Sequence, residues 1–208
     1  MPTTVKLSSC WANTATWARA GSVCMSGWNR ACRRIARTRL PNWIDDIGWE
    51  QGIEETTFTT LLYRWRDGFD WRTYEARLND VDHFLTEIED QPIHFVHARS
   101  SRSDALPLML VHGWPGSFHE FLDVIPRLTA DGFHVVAPSL PGYGFSAAPR
   151  VPGWDIARVA RAFVSLMARL GYDRYGAQGG DWGAQITTRM AIADSAHCVG
   201  LHLNMPIA

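Results

Sequence analysis

The spacing of apolar residues changes character near residue 80, and the change divides the chain into two readings. Over 28–79 the sequence is Trp-rich and helical in tendency. Thr57-Phe58-Thr59-Thr60-Leu61-Leu62-Tyr63-Arg64-Trp65 leads into Asp67-Gly68-Phe69-Asp70-Trp71, with Gly68 placed to stop a helix. Upstream, Arg30, Arg33, Arg34 and Arg37 read as the polar side of a helix ending before Pro41. From residue 82 the period becomes two. His83, Leu85 and Glu87 alternate with Phe84, Thr86 and Ile88, then Asp90-Gln91-Pro92 supplies a turn before Ile93-His94-Phe95-Val96-His97, which predicts a hairpin.

Leu106-Pro107-Leu108-Met109-Leu110-Val111 is nearly continuous in apolar residues, as in strands buried on both faces. Ser117 and Glu120 stand in capping-box register ahead of Phe121, Leu122, Val124 and Ile125, which predicts a helix there. His134–Ala137 reads as a second buried strand. After a Gly/Pro loop at 138–149, Ile156, Val159, Ala160, Phe163, Val164, Met167 and Leu170 mark one face of a helix that Asp155 caps and Gly171 ends. A strand over Arg174–Gln178, a helix over Ala184–Ile192 and a strand over Cys198–Leu203 complete the pattern. Strands alternating with helices predict an α/β fold, a mostly parallel sheet with helices on both faces.

Composition fits this picture: 208 residues with 46% hydrophobic positions suffice for a buried core. The net charge of -1 conceals an uneven distribution, because residues 1–41 carry +7 with no acidic residue and the rest carries -8. Nineteen of the 20 basic residues are Arg, and later segments lack clustered basic and stacking residues, so no nucleic-acid surface is expected. No run of about 18 apolar residues is present, so no bilayer span is expected and the cytosol is the default compartment, with a transit-peptide reading of the acid-free start as the alternative. Cys10, Cys24, Cys32 and Cys198 show no C-x-x-C spacing, which leaves free thiols and no zinc or redox pair. His94 and His97, three apart on a strand, face opposite sides and cannot share a metal.

The chemistry concentrates in two loops. Gly179-Gly180-Asp181-Trp182-Gly183-Ala184 lies between a predicted strand and a predicted helix and fits a nucleophile elbow, with small residues two before and two after the exposed one. That exposed residue is Asp181; the alternative is that it merely caps the following helix. A carboxylate nucleophile attacks an sp3 carbon and becomes an enzyme ester that water must cleave. His112-Gly113-Trp114-Pro115-Gly116 follows the first parallel strand, either as a plain Gly/Pro turn or as the loop whose backbone N–H, at Trp114, joins that of Trp182 in an oxyanion hole. His112 reads as a hydrogen-bonding residue and not a base. Gly144-Phe145-Ser146-Ala147-Ala148 only approximates a serine elbow, since it runs into Pro149 instead of a helix.

With Pro138-Ser139-Leu140-Pro141-Gly142-Tyr143-Gly144-Phe145-Ser146 these two motifs make the chain resemble the epoxide hydrolases of the α/β-hydrolase superfamily, in the microsomal and juvenile-hormone branch. Ala36-Arg37-Thr38-Arg39-Leu40-Pro41 and Tyr63-Arg64-Trp65-Arg66-Asp67-Gly68-Phe69-Asp70-Trp71-Arg72 resemble that branch's N-terminal meander. The resemblance implies residues 28–81 as meander, 82–208 as the first part of an α/β-hydrolase domain, and 1–27 as an unassigned extension. It implies Asp181 as nucleophile, Trp114 and Trp182 as hole donors, and His112, Gly113, Pro115, Gly179, Gly180 and Gly183 as their support. A small apolar epoxide and water are the implied reactants, with no cofactor or metal.

The branch also needs an acid, a His base and lid tyrosines after the nucleophile. Only 27 residues follow Asp181, filled by one helix and one strand, so the fold is expected to stop after about its sixth strand without that acid, base and lid. A haloalkane or haloacid dehalogenase of the same fold is the rival assignment, and a non-catalytic remnant or interaction module is a third. The last strand is expected to present an unpaired edge prone to self-association.

Overall fold

A computed structural model describes residues 3–5, 49–50 and 52–206. The segments 30–37 and 36–41, read above as a helix and a meander motif, lie outside the described residues. The chain forms two compact units, Leu7–Arg77 and Met1–Lys6 with Leu78–Ala208.

In the smaller unit, α1 (Glu55–Gly68) ends at the expected glycine. The next helix, α2 (Trp71–Leu78), is capped by Asp70, whose carboxylate accepts from the Arg72 N–H at 3.0 Å and the Thr73 hydroxyl at 2.7 Å. Two acids of the motif thus have local work, since Asp67 pairs with Arg66 at 2.6 Å.

The larger unit is built on one sheet. Its strands are β1 (Thr3–Val5), β2 (His83–Ile88), β3 (Gln91–Ala98), β4 (Leu106–Val111), β5 (Phe133–Pro138), β6 (Tyr175–Gly179) and β7 (Cys198–Leu203), in spatial order β1-β2-β3-β5-β4-β6-β7. The β5-β4-β6-β7 half is parallel and β1, β2 and β3 pair antiparallel. Residues 3–5, within the stretch that resembled nothing, supply the outer strand against β2.

Two local expectations are corrected. The hairpin turns at Glu89 and Asp90, with φ of 52° and 60°, and not at Asp90–Pro92. This two-residue turn with both φ positive matches strand twist, and Pro92 sits inside β3 opposite Glu87. At 117–125 no continuous helix forms. Ser117 caps only a 3-10 turn (Phe118–Phe121), accepting from the His119 N–H at 3.3 Å, and α3 (Ile125–Ala130) starts afresh with Pro126 in its first turn.

The remaining helices follow the pattern. Asp155 caps α4 (Ile156–Arg169), accepting from the Arg158 N–H at 2.8 Å. Gly171, at φ 82°, closes it with Gly171 N–H to the Ala168 carbonyl and Tyr172 N–H to the Met167 carbonyl. Val159, Ala160, Phe163, Leu166 and Met167 of α4, with Ile186 and Met190 of α5 (Trp182–Ala193), cover Ile93, Phe95, Met109, Val111, Val136 and Tyr175 on one sheet face. Strand alternation sends His94, Val96, Leu110, Val135 and Ala137 to the other face, on the side where Phe118, Phe121 and Ile125 are buried.

That second face holds a buried polar chain. His83 Nε2 donates to the Leu78 carbonyl at 2.7 Å, so its Nδ1 accepts from His94 Nε2 at 2.8 Å, and His94 Nδ1 accepts from the Ser139 hydroxyl at 2.9 Å. Burial, then the neighbouring His83, holds His94 well below the usual imidazole range. His97 points the opposite way, to the Tyr172 hydroxyl at 2.8 Å, as its spacing from His94 requires.

Candidate active site

Sheet order fixes where loops can converge. The chain leaves β4 toward β5 on one side, then returns from β5 through α4 to β6 on the other side of β4. Loops leaving the carboxyl ends of β4 and β6 therefore diverge to opposite sides and open a crevice at this switch point. Val111 pairs with Gly179 in that register, so His112–Gly116 and Gly179–Gly183 emerge side by side.

Between β6 and α5, Asp181 has φ 53° and ψ -125°, a conformation that costs a non-glycine residue about 1–3 kcal/mol. Its neighbours make the turn tight. A Cβ on Gly179 would collide with the Gly183 carbonyl, and a Cβ on Gly183 would collide with the Val111 carbonyl and approach the His112 oxygen to 3.0 Å. Gly180 has no such requirement, because a Cβ there meets only Asn204 at 3.5 Å. Asp181 does not cap α5 with its side chain. Its Oδ1 instead accepts the Trp114 N–H across the crevice at 2.7 Å. That bond, followed by one from the Trp182 N–H, holds the carboxyl below the usual carboxylate range.

The first loop is shaped around this carboxylate. A Cβ on Gly113 would lie 2.5 Å from both Cβ and Oδ1 of Asp181, so only glycine lets the loop approach. Pro115 follows Trp114 through a cis peptide. Trp114, whose N–H reaches the carboxylate, and Trp182, which follows Asp181, are 62% and 45% exposed. His112 is fully buried and burial lowers its pKa.

Glu120 is the site residue that sequence reading assigned elsewhere. Its capping-box register suggested a helix start, yet its carboxyl is raised above the usual range by desolvation and then by the charge of Asp181. The signal available in the sequence was its distance of four from Gly116, over which its Oε2 lies 3.2 Å from a would-be Cβ. Ser146, the serine-elbow decoy, is buried, donating to the Ser139 carbonyl at 2.8 Å and accepting from the His94 N–H at 2.9 Å.

An acid–histidine pair does exist in this chain, but at the wrong end. Asp194 Oδ1 meets His197 Nδ1 at 2.5 Å, and its Oδ2 accepts the Tyr175 hydroxyl at 2.8 Å. Asp181 precedes α5 and Asp194 follows it, so twelve helical residues put about 18 Å between them. Among the described residues no group of three or more His, Cys, Asp or Glu is placed to hold a metal, and no helix is long and apolar enough to cross a membrane.

Comparison with known proteins meets this geometry at both loops. Residues 22–121 match the family described as Epoxide hydrolase N terminus, and residues 107–207 match the alpha/beta hydrolase fold. A Stigmatella aurantiaca protein named as an epoxide hydrolase is 46% identical over 184 residues, covering 84% of this chain and 42% of that protein. Epoxide hydrolase 1 of Sus scrofa is 40% identical over 188 residues, covering 84% of this chain and 41% of its own length. The crystal structure of juvenile hormone epoxide hydrolase from Bombyx mori superposes with a TM-score of 0.81 at 34% identity, covering 99% of this chain and 53% of that one. The chain thus spans about half the length of these relatives or less. The two matched families overlap at the loop that carries His112–Gly116 and run on through Asp181, and with the sheet order they place this chain in the epoxide hydrolase branch of the α/β-hydrolase superfamily.

Proposed function

We propose that this chain carries the nucleophilic half of an epoxide hydrolase site, with Asp181 as the nucleophile. The observation that carries the reading is the split of the carboxylate into two unlike oxygens. Oδ1 is held by the Trp114 N–H at 2.7 Å, which leaves Oδ2 to attack. Oδ2 forms a bond to an epoxide carbon as the carbon–oxygen bond breaks, and the released alkoxide takes a proton from solvent. The product is an ester whose carbonyl oxygen is Oδ1. Attack of water on that ester puts negative charge on Oδ1, already seated against the Trp114 N–H that can stabilise it.

The indoles of Trp114 and Trp182 suit a small apolar or aromatic epoxide. Activation of the hydrolytic water needs an acid–histidine pair facing Asp181, and the Asp194–His197 pair about 18 Å away does not supply it. The chain as it stands is therefore expected to accumulate the ester.

Incubation of the 208-residue chain with styrene oxide, followed by intact mass measurement, tests this. One substrate mass per chain is expected, with no sustained diol release. A parallel incubation with 1,2-dibromoethane addresses the dehalogenase reading: bromide release without any reaction with the epoxide would reverse the assignment.

A further inference from the structure

We infer that His112 is a positioning residue that aims the oxyanion-hole donor, gripping the Gly113–Trp114 peptide by its carbonyl so that the N–H of the same peptide faces Asp181. The inference rests on the reading of Asp181 as nucleophile for its chemical meaning, but its geometry stands apart from that reading. The Gly113 carbonyl and the Trp114 N–H belong to one planar unit and point in opposite directions. A group that fixes the carbonyl therefore fixes the direction of the N–H.

His112 Nδ1 lies 3.0 Å from the Gly113 carbonyl oxygen, and the Trp114 N–H reaches Asp181 Oδ1 at 2.7 Å. Gly113 has no side chain to hold its own peptide plane, and steric contact with Asp181 forbids one. The steering must come from a neighbour.

The imidazole is itself held in a single tautomer. The Leu140 N–H, a donor only, reaches His112 Nε2 at 3.0 Å, so Nε2 is the acceptor and the ring proton sits on Nδ1, where the Gly113 carbonyl can take it. Burial of the ring, which is fully shielded from solvent, favours this neutral form. Leu140 is anchored in turn: the adjoining Ser139 N–H donates to the His94 carbonyl at 2.8 Å and the Ser139 hydroxyl to His94 Nδ1 at 2.9 Å. A continuous series of hydrogen bonds runs from the buried second face of the sheet to the hole donor.

Asparagine and glutamine separate the two bonds of the ring. In His112→Asn the amide nitrogen takes the place of Nδ1 and can donate to Gly113, whereas in His112→Gln the amide end takes the place of Nε2 and serves Leu140. NMR on the full chain reads the Trp114 amide proton and the Asp181 carboxyl titration. His112→Leu and His112→Gln are expected to move the Trp114 amide upfield and raise the Asp181 pKa by about one unit, while His112→Asn keeps both near the parent values. Rescue by Gln and not by Asn would assign the ring's role to Leu140 and overturn the inference, as would an unchanged Trp114 amide in His112→Leu. Where a variant fails to fold, the parent protein still decides: nitrogen-15 spectra showing the proton on Nε2 of His112 would overturn it, and the proton on Nδ1 is expected. These readouts need no substrate, so inertness of the parent chain toward styrene oxide would sink the epoxide reading and leave this one standing.

Discussion

His97 is a buried imidazole that folding keeps neutral, and the stability of the larger unit should reveal it on acidification. Burial first, then the charges of Arg99 and His134, lowers its pKa from 6.5 to about 4. Between these two values the unfolded chain binds a proton that the folded protein refuses, so stability rises with pH. The contribution is complete above pH 6.5 and is lost progressively as pH falls toward 4. With those two values the loss at pH 5 is about 2 kcal/mol, out of a typical total of about 5–15 kcal/mol for a domain.

His97→Gln isolates this group, because the amide can keep the bond to the Tyr172 hydroxyl without titrating. Urea unfolding followed by circular dichroism at pH 8 and pH 5 gives the stability gap between parent and variant. That gap should shift by about 2 kcal/mol in the variant's favour at pH 5. His94 and His112, whose pKa values are also lowered, and Glu120 and His197, whose values are raised, remain in both proteins and cancel. A gap independent of pH would refute the reasoning, and a shift in the parent's favour would mean that a protonated His97 finds a partner in the fold.

Two glycines of the site should both resist substitution. Gly113→Ala brings its Cβ against the Asp181 Cβ, which moves only with the elbow backbone, so it should lower the urea midpoint and cut reaction with styrene oxide by about 100-fold. Gly183→Ala pushes against the backbone of Val111 and His112 and should lower stability by about 1–3 kcal/mol; an unchanged midpoint in either variant would contradict the packing described. At the sheet edge, Val199 and Leu201 of β7 are 46% and 40% exposed, so the chain should self-associate in sedimentation experiments and Val199→Lys with Leu201→Lys should suppress it. A monodisperse parent chain would count against that surface as an interaction site.

Much of this architecture was legible because its signals are local. The α4 stripe, its Asp155 cap and its Gly171 stop each rest on neighbouring residues, and β7 falls on Cys198–Leu203 as the apolar pattern predicts. The elbow was legible for the same reason at Gly179, whose would-be Cβ meets Gly183 within one turn, whereas Gly183 answers the distant Val111 and His112. The misread positions depend on partners far along the chain. Glu120 carries a capping-box spacing, but its carboxyl is raised by burial and then by the charge of Asp181, 61 residues away, and Pro126 gave the break that splits the expected helix. The turn at Glu89–Asp90 was missed because Pro92 looks like turn material until its place in β3 is known. Gly113 reads as part of a loop motif, while its need for hydrogen in place of a side chain comes from Asp181 across the crevice.

If Asp181 supplies the oxygen of a covalent ester, peptide mapping of the styrene oxide adduct finds it there. Digestion and tandem mass spectrometry of the modified chain should place the added mass on Asp181, within the Gly179–Gly183 turn, and Asp181→Asn should abolish it. An adduct on Glu120, on a cysteine or on any other residue, or one that persists in Asp181→Asn, would contradict the account.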